Sequence, residues 1–265
     1  MGVCHLVYPS ATHTRFQHSL GVAHLAFKFA EKLAKNNPEY NITEKDVLCV
    51  MIAGLCHDLG HGPFSHFWEG FVAKANPDLD WHHEDSSMRN LDFLIEDNDL
   101  KPLLKELGGI TDEDIIFIKE AIGGPLDEKT GLPLRNWKDQ DDGEWAYKGR
   151  PKEKAFLYEI VANKISGIDV DKWDYLQRDR TNMNINTNFQ YERYIEYCKI
   201  MEFNGRPRIC LRDKEHELVW EMFEDRARLH QKGYQHRVVK TLDRMMVGSF
   251  LKLYEARLIT LKVSR

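Results

Sequence analysis

The chain has no long hydrophobic run: nowhere in its 265 residues do apolar side chains approach the roughly 18 in a row needed to span a bilayer. Its first residues show no basic stretch followed by an apolar one, the pattern of a secretory signal. Cysteine is sparse, with five residues (Cys4, Cys49, Cys56, Cys198, Cys210) and no CxxC pair. The odd count and apolar settings such as "VLCVM" and "RICLR" point to reduced, mostly buried thiols in an intracellular protein, nuclear or cytoplasmic. An excess of positive charge is missing too. Lys and Arg number 37 against 42 Asp and Glu, a net charge of -5, so nothing draws nucleic acid or an anionic membrane globally. Any anionic ligand must be held by local charge. Repeats and low-complexity tracts are also absent.

What remains is an ordinary globular composition, 42% hydrophobic and 30% charged, long enough to bury a substantial core. Most of it reads as helix. "RFQHSLGVAHLAFKFAEKLAKN" repeats apolar residues at Leu20, Ala23, Phe27, Ala30 and Leu33 with a period near 3.6. "TEKDVLCVMIAGLCHDLG" opens on a Thr cap with acidic first-turn residues and turns almost wholly apolar, as a central buried helix does. "HHEDSSMRNLDFLIED" and "TDEDIIFIKEAIGG" are shorter amphipathic candidates. Residues 125–152, rich in Pro, Gly and charge, read as an exposed excursion loop. Helix returns at "KAFLYEIVANKISG" and "DVDKWDYLQRDRTN", "RPRICLRD" reads as a short strand, and a long helical pattern runs from Glu215 to about Leu261 with a weak point at Gly233. The expectation is a single, mainly α domain: a helical bundle with short strands.

The stretch "AGLCHDLGHGPFSH" ends an apolar helix in chemistry. His57 and Asp58 diverge by about 100° on a helix, yet can converge on one ion lying off its end, where Gly60, Gly62 and Pro63 break the turn. Imidazole and carboxylate together suit iron, manganese, zinc or magnesium-type chemistry. An isolated His-Asp pair is a weak signal. "RFQHS" adds His18, with Arg15 one turn earlier, and "GIDVDKWDYLQRD" adds Asp171, Asp174, Tyr175, Arg178 and Asp179 at helical spacings. So many carboxylates are costly to bury without a cation, although Asp174–Arg178 alone reads as an i,i+4 ion pair.

The ordered pattern H…HD…D, at His18, His57-Asp58 and Asp171, resembles the HD phosphohydrolase superfamily. "RFQHSLGV", "DVLCVMIAGLCHDLGHGPFSH", "WHHE", "YKGRP", "FLYEIVANKISGIDVDKWDY", "RICLRDKE" and "YQH" together resemble, over most of the 265 residues, the HD domain of the SAM- and HD-domain deoxynucleoside triphosphate triphosphohydrolases. The resemblance implies one catalytic divalent metal (iron, manganese or zinc) on His18, His57, Asp58 and Asp171, with Mg2+ accompanying the nucleotide. It implies hydrolysis of dNTPs to deoxynucleoside and inorganic triphosphate by metal-activated water attack at the alpha phosphorus. His61, His66 and His83 match the family's catalytic histidines, His66 as proton donor to the 5' oxygen. Glu69 stands where the family has Asp. Arg15, Lys172 and Arg226 match phosphate contacts, with Tyr175 adding a hydroxyl donor. Asp179 matches the acceptor of the sugar 3'-OH, and Tyr234 the residue that excludes a 2'-OH. His230 and Gln235 lie where they could face the base loosely enough to admit all four dNTPs.

For the basic cluster the resemblance implies nucleotide activators, GTP or dNTP, and an active homo-dimer or tetramer in the full-length form. The matching positions are Arg193, Arg212, Lys214, His236 and Arg237, the last replacing a Lys. The family's N-terminal portion with its sugar-contacting glutamine, its SAM domain and its C-terminal lobe have no counterpart, so residues 1–265 read as the HD catalytic core. Other readings compete: an HD phosphohydrolase acting on a guanosine polyphosphate, a cyclic dinucleotide or a 5'-nucleotide, and a truncated non-catalytic form binding nucleotide or nucleic acid. "DVDKWDY" with "YQH" argues against the first. Negative charge and the lack of an aromatic stacking platform make single-stranded nucleic acid at most a secondary partner.

Overall fold

A computed structural model describes residues 2–135, 137 and 144–261. In chain order the helices are α1 (Arg15–Asn36), α2 (Glu44–Cys56), α3 (His66–Ala75), α4 (His83–Asp97), α5 (Leu100–Gly108), α6 (Asp112–Gly123), α7 (Val170–Met183), α8 (Tyr191–Tyr197), α9 (His216–Leu229) and α10 (Arg237–Glu255). One antiparallel hairpin, β1 (Cys198–Phe203) and β2 (Arg206–Leu211), pairs Cys198 with Leu211 around an Asn204-Gly205 turn with both φ angles positive. The architecture is mainly α.

Local chemistry sets the helix starts. Thr14, Thr43 and Thr111 each close a capping box, with Gln17, Asp46 and Asp114 as the reciprocal partners. α1 and α2 pack side by side and α7 lies against α1, burying Val22, Ala26, Phe29, Val50, Ala53 and Trp173. Ala23, Ala30 and Leu33 of the expected α1 stripe are buried, but Leu20 is 48% exposed, and Val22, Leu25 and Phe29 widen the buried face instead. Gly21 accounts for part of this. A methyl group there would overlap the Asp174 carboxylate, so only glycine lets α7 seat this close.

Two expectations need correction. "KAFLYEIVANKISG" is a run of 3-10 turns over Lys152–Glu159, kinked at Lys154, and not an α-helix. Phe156, Leu157, Tyr158 and Ile160 are buried on all sides, leaving no helical stripe, and the Asn163 side chain then accepts from the Ile165 and Ser166 N–H groups in a turn. The excursion loop is irregular, but its described C-terminal part is buried rather than exposed: Tyr147 stacks on Tyr158, and Arg150 pairs with Asp46 and Asp114. Residues 136 and 138–143 of that loop lie outside the described residues. The weak point at Gly233 falls in a π turn, His230–Tyr234, between α9 and α10.

Candidate metal centre

α1, the C-terminal end of α2 and the first turn of α7 bring four donors together. His18 Nε2 lies 3.1 Å from Asp171 Oδ1 and 3.5 Å from Asp58 Oδ2, and His57 Nε2 lies 3.5 Å from each of the same two atoms. The other ring nitrogens are tied off. His57 Nδ1–H donates to the Gly54 carbonyl (2.8 Å) and His18 Nδ1–H to Asp174 Oδ2 (2.7 Å), which turns both Nε2 atoms inward. Asp174 in turn accepts both arms of Arg178 at 2.8 Å, so the i,i+4 pair forms and orients a ligand candidate. His57 Nε2 is buried with no hydrogen-bond partner. His18, His57 and Asp58 form a close group of metal-competent atoms with Asp171 Oδ1 beside both rings, and together with the orphaned His57 nitrogen they fit a divalent cation.

Electrostatics agree. Burial would lower the pKa of His18, but hydrogen bonds to Asp171 and Asp174 push it up to about 9. Burial likewise opposes the charge on Asp58, yet His57, His61 and Arg15 hold it well below the usual carboxylate range. Asp171 is depressed against its own desolvation by the two histidines. A metal ion bound there would compete with protons on the two histidines.

Beyond the helix end, the three further histidines converge. Gly60 permits it: a Cβ there would collide with the backbone of His83 and Ser87, and the Gly60 N–H donates to Ser87 Oγ. His61 stacks on His83 (centroids 4.0 Å) and its Nε2 lies 3.3 Å from Asp58 Oδ1. Glu69 joins the other pair, accepting from His66 Nδ1 at 3.1 Å and ion-pairing with His83 Nδ1 at 3.0 Å, and the two histidines hold its pKa far down. Burial lowers the pKa of His61, whereas Glu69 and Glu84 raise that of His83 against burial. Asp58, His61 and His83 form a second close group of metal-competent atoms. The approach to His66 is strained, with Phe64 and Ser65 both at positive φ.

Toward α9, Arg15 reaches Asp58 and Ser65. Tyr175 hydrogen-bonds Arg226, whose Nε is buried and unpartnered, while Lys172 pairs with Asp169 at 3.1 Å. Asp179 accepts from the Tyr234 hydroxyl and, at 2.6 Å, from His13 Nε2. The sequence reading missed His13, which lies in an irregular segment without periodicity. His230 meets the Tyr234 ring edge-on and Gln235 is exposed just beyond. Arg193 and Arg212 come together on Glu215 (2.5 and 2.7 Å) and both face the Tyr197 ring, with Lys214 exposed beside them. His236 and Arg237 sit on another element, the start of α10, where His236 packs edge-on to Tyr8.

Comparison with known proteins places this geometry. Residues 15–116 match the HD domain family. Over 253 residues, 95% of the chain, it is 47% identical to the human deoxynucleoside triphosphate triphosphohydrolase SAMHD1, of which it spans 39%. It is 37% identical to the SAMHD1 homolog of Dictyostelium discoideum (94% of the chain, 42% of that protein) and 34% to a putative HD domain-containing protein, L394, of Acanthamoeba polyphaga mimivirus (94% and 50%). The chain therefore covers half or less of the length of these relatives. Among the described residues no helix is long and apolar enough to cross a membrane.

Proposed function

The chain belongs to the family of SAM- and HD-domain deoxynucleoside triphosphate triphosphohydrolases, and from that premise we propose that it hydrolyses dNTPs, all four of them, to deoxynucleoside and inorganic triphosphate. One observation carries the reading: the four-donor cluster with its orphaned His57 Nε2 stands beside Arg226, whose Nε has no partner, and an Asp179–Tyr234 pair, partners for a metal, a phosphate and a sugar on one side of α7. Residues 1–265 are taken as one HD phosphohydrolase core.

His18, His57, Asp58 and Asp171 would hold the metal, iron, manganese or zinc, with Mg2+ arriving on the nucleotide. When bound, such an ion neutralises phosphate charge and makes water a better nucleophile near neutral pH. In the net reaction a water oxygen joins the alpha phosphorus, the bond from phosphorus to the 5' oxygen breaks, and that oxygen takes a proton. His66 is suited to supply it: Glu69 occupies Nδ1, leaving Nε2 as the donor, and the side chain is 78% exposed, open to a ligand. His83, on the same carboxylate, and His61 stacked on it face the charge that develops on the alpha phosphate. Arg15, Lys172, Arg226 and the Tyr175 hydroxyl bind the triphosphate. Asp179 takes the 3'-OH, Tyr234 closes the space a 2'-OH would need, and His230 and Gln235 face the base.

The Arg193, Arg212 and Lys214 cluster, with His236 and Arg237, would take activating GTP or dNTP between subunits of a dimer or tetramer. Single-stranded nucleic acid is a secondary partner in this reading. Five free thiols fit an intracellular setting, nuclear or cytoplasmic. The test is to incubate the protein with dGTP and with GTP in the presence of manganese and to resolve the products by anion exchange. Triphosphate from dGTP alone is expected. Phosphate or pyrophosphate as product would overturn the mechanism, and equal turnover of GTP would overturn the Tyr234 gate.

A further inference from the structure

The segment before α1 is stapled onto the far end of α7 and onto the π turn after α9. The Tyr8 hydroxyl donates to the Lys232 carbonyl (2.7 Å), Ser10 Oγ to the Asn182 carbonyl, and His13 Nε2–H to Asp179 Oδ1 (2.6 Å). The third contact is the most buried of the three, with the His13 side chain 7% and that of Asp179 8% exposed. Among the described residues, His13 is the only ion-pair partner of Asp179. The opposite oxygen, Oδ2, accepts from Tyr234, whose hydroxyl is driven far up in pKa by burial and by the Asp179 charge.

We propose that His13 is a positioning residue which, with Tyr234, fixes the Asp179 carboxylate as the receptor for a sugar 3'-hydroxyl, a role that rests on the reading of Asp179 given above. An ionised carboxylate offers about four acceptor positions on its two oxygens. One donor on each oxygen removes the freedom of the group to rotate and leaves one accepting position per oxygen aimed in a set direction. The carboxylate is therefore prepared for a hydroxyl donor before any ligand arrives, which cuts the ordering cost of binding. Because a carboxylate only accepts, the proton on the 2.6 Å bond belongs to His13 Nε2. His13 Nδ1 is left buried without a partner, so this one bond orients the ring.

A residue that merely packs the segment down and one that aims Asp179 differ in what their removal changes. We would measure the affinities of the whole chain for dGTP and for 2',3'-dideoxyGTP, with MgCl2, in wild type, H13L, H13Q and D179N. Glutamine can place an amide N–H near the Nε2 position, whereas leucine keeps bulk and loses the donor. Wild type is expected to prefer dGTP by about tenfold or more, the size of one hydrogen bond to a charged group. That preference should fall to within about threefold in H13L and be restored in H13Q. A lowered thermal midpoint in H13L with the wild-type preference intact, while D179N loses it, overturns the role of His13 and leaves the reading of Asp179 standing. No preference in wild type overturns both. Should H13L fail to fold, H13N makes the same comparison, its shorter amide falling short of Oδ1.

Discussion

At its N-terminal end α2 carries Asp46 into a buried cluster with Arg150, Asp114, Lys154 and Lys45; at its C-terminal end it delivers His57 and Asp58 into another, with His18 and Asp171. In the first, both carboxylates are fully paired, two acids against three bases. Asp46 takes Arg150 Nε at 2.7 Å, Lys154 Nζ at 2.5 Å and the Thr43 N–H, while Asp114 takes Arg150 Nη2 at 2.7 Å and Lys45 Nζ at 3.0 Å. In the second, carboxylates crowd two imidazoles and a buried nitrogen has no partner. Both clusters place charge in the interior. Only the unfinished one has anything left to offer a ligand, and this separates scaffold from site more reliably than burial or charge density does.

The comparison breaks first at Asp171. In D171A the far cluster is untouched, so circular dichroism should remain that of the wild type, while bound metal and turnover are both lost. Stoichiometric metal retained in that variant, by elemental analysis, would remove Asp171 from the ligand set. The converse change is Arg150→Met, which removes the guanidinium shared by Asp46 and Asp114 and leaves each with one lysine. It should lower unfolding stability by about 3–5 kcal/mol in urea titrations and leave the metal content of the folded fraction unchanged. Loss of metal here would mean that the two ends are not separate.

The smallest effect is in pH, where both ends share an acid limb and the C-terminal end adds an alkaline one. Asp114 is held down at about 2, against burial, by Thr111, Lys45 and Arg150, and Asp46 is lowered by Lys154, Thr43 and Arg150 against the same opposition. Their stabilisation is present above the unfolded carboxylate value near about 3.9 and is lost as pH falls toward 2. His18 is raised, so in metal-free protein its contribution is present below about 6.5 and is lost as pH climbs through about 9. Asp58, Asp171 and Asp174 also weaken the fold in acid. Urea midpoints across pH should therefore show a shallower acid limb in R150M and an unchanged alkaline one.

Much of the candidate site is legible in the residues because its candidate ligands sit at helix ends, where "QHS", "CHD" and "DVDKWD" interrupt apolar periodicity. Asp174 is legible as the partner of Arg178, though its bond to His18 is not, since nothing local joins α1 to α7. His13 and Arg150 are hidden for the same reason. Each sits in irregular chain, and each finds its carboxylate far along the sequence. The folding of "KAFLYEIV" was beyond pattern reading because every side chain that could mark a stripe is buried.

His18, His57 and Asp58 come from two neighbouring helices, but Asp171 enters from α7, more than a hundred residues after Asp58. A loop of that length closes slowly, because its entropy must be lost before the contacts repay it. A chain still collapsing thus holds three donors and lacks the fourth until α7 docks on α1. With these four as the ligands, full-strength metal capture would mark completed folding: an ion taken up during refolding should be held weakly at first and tightly only in the final phase.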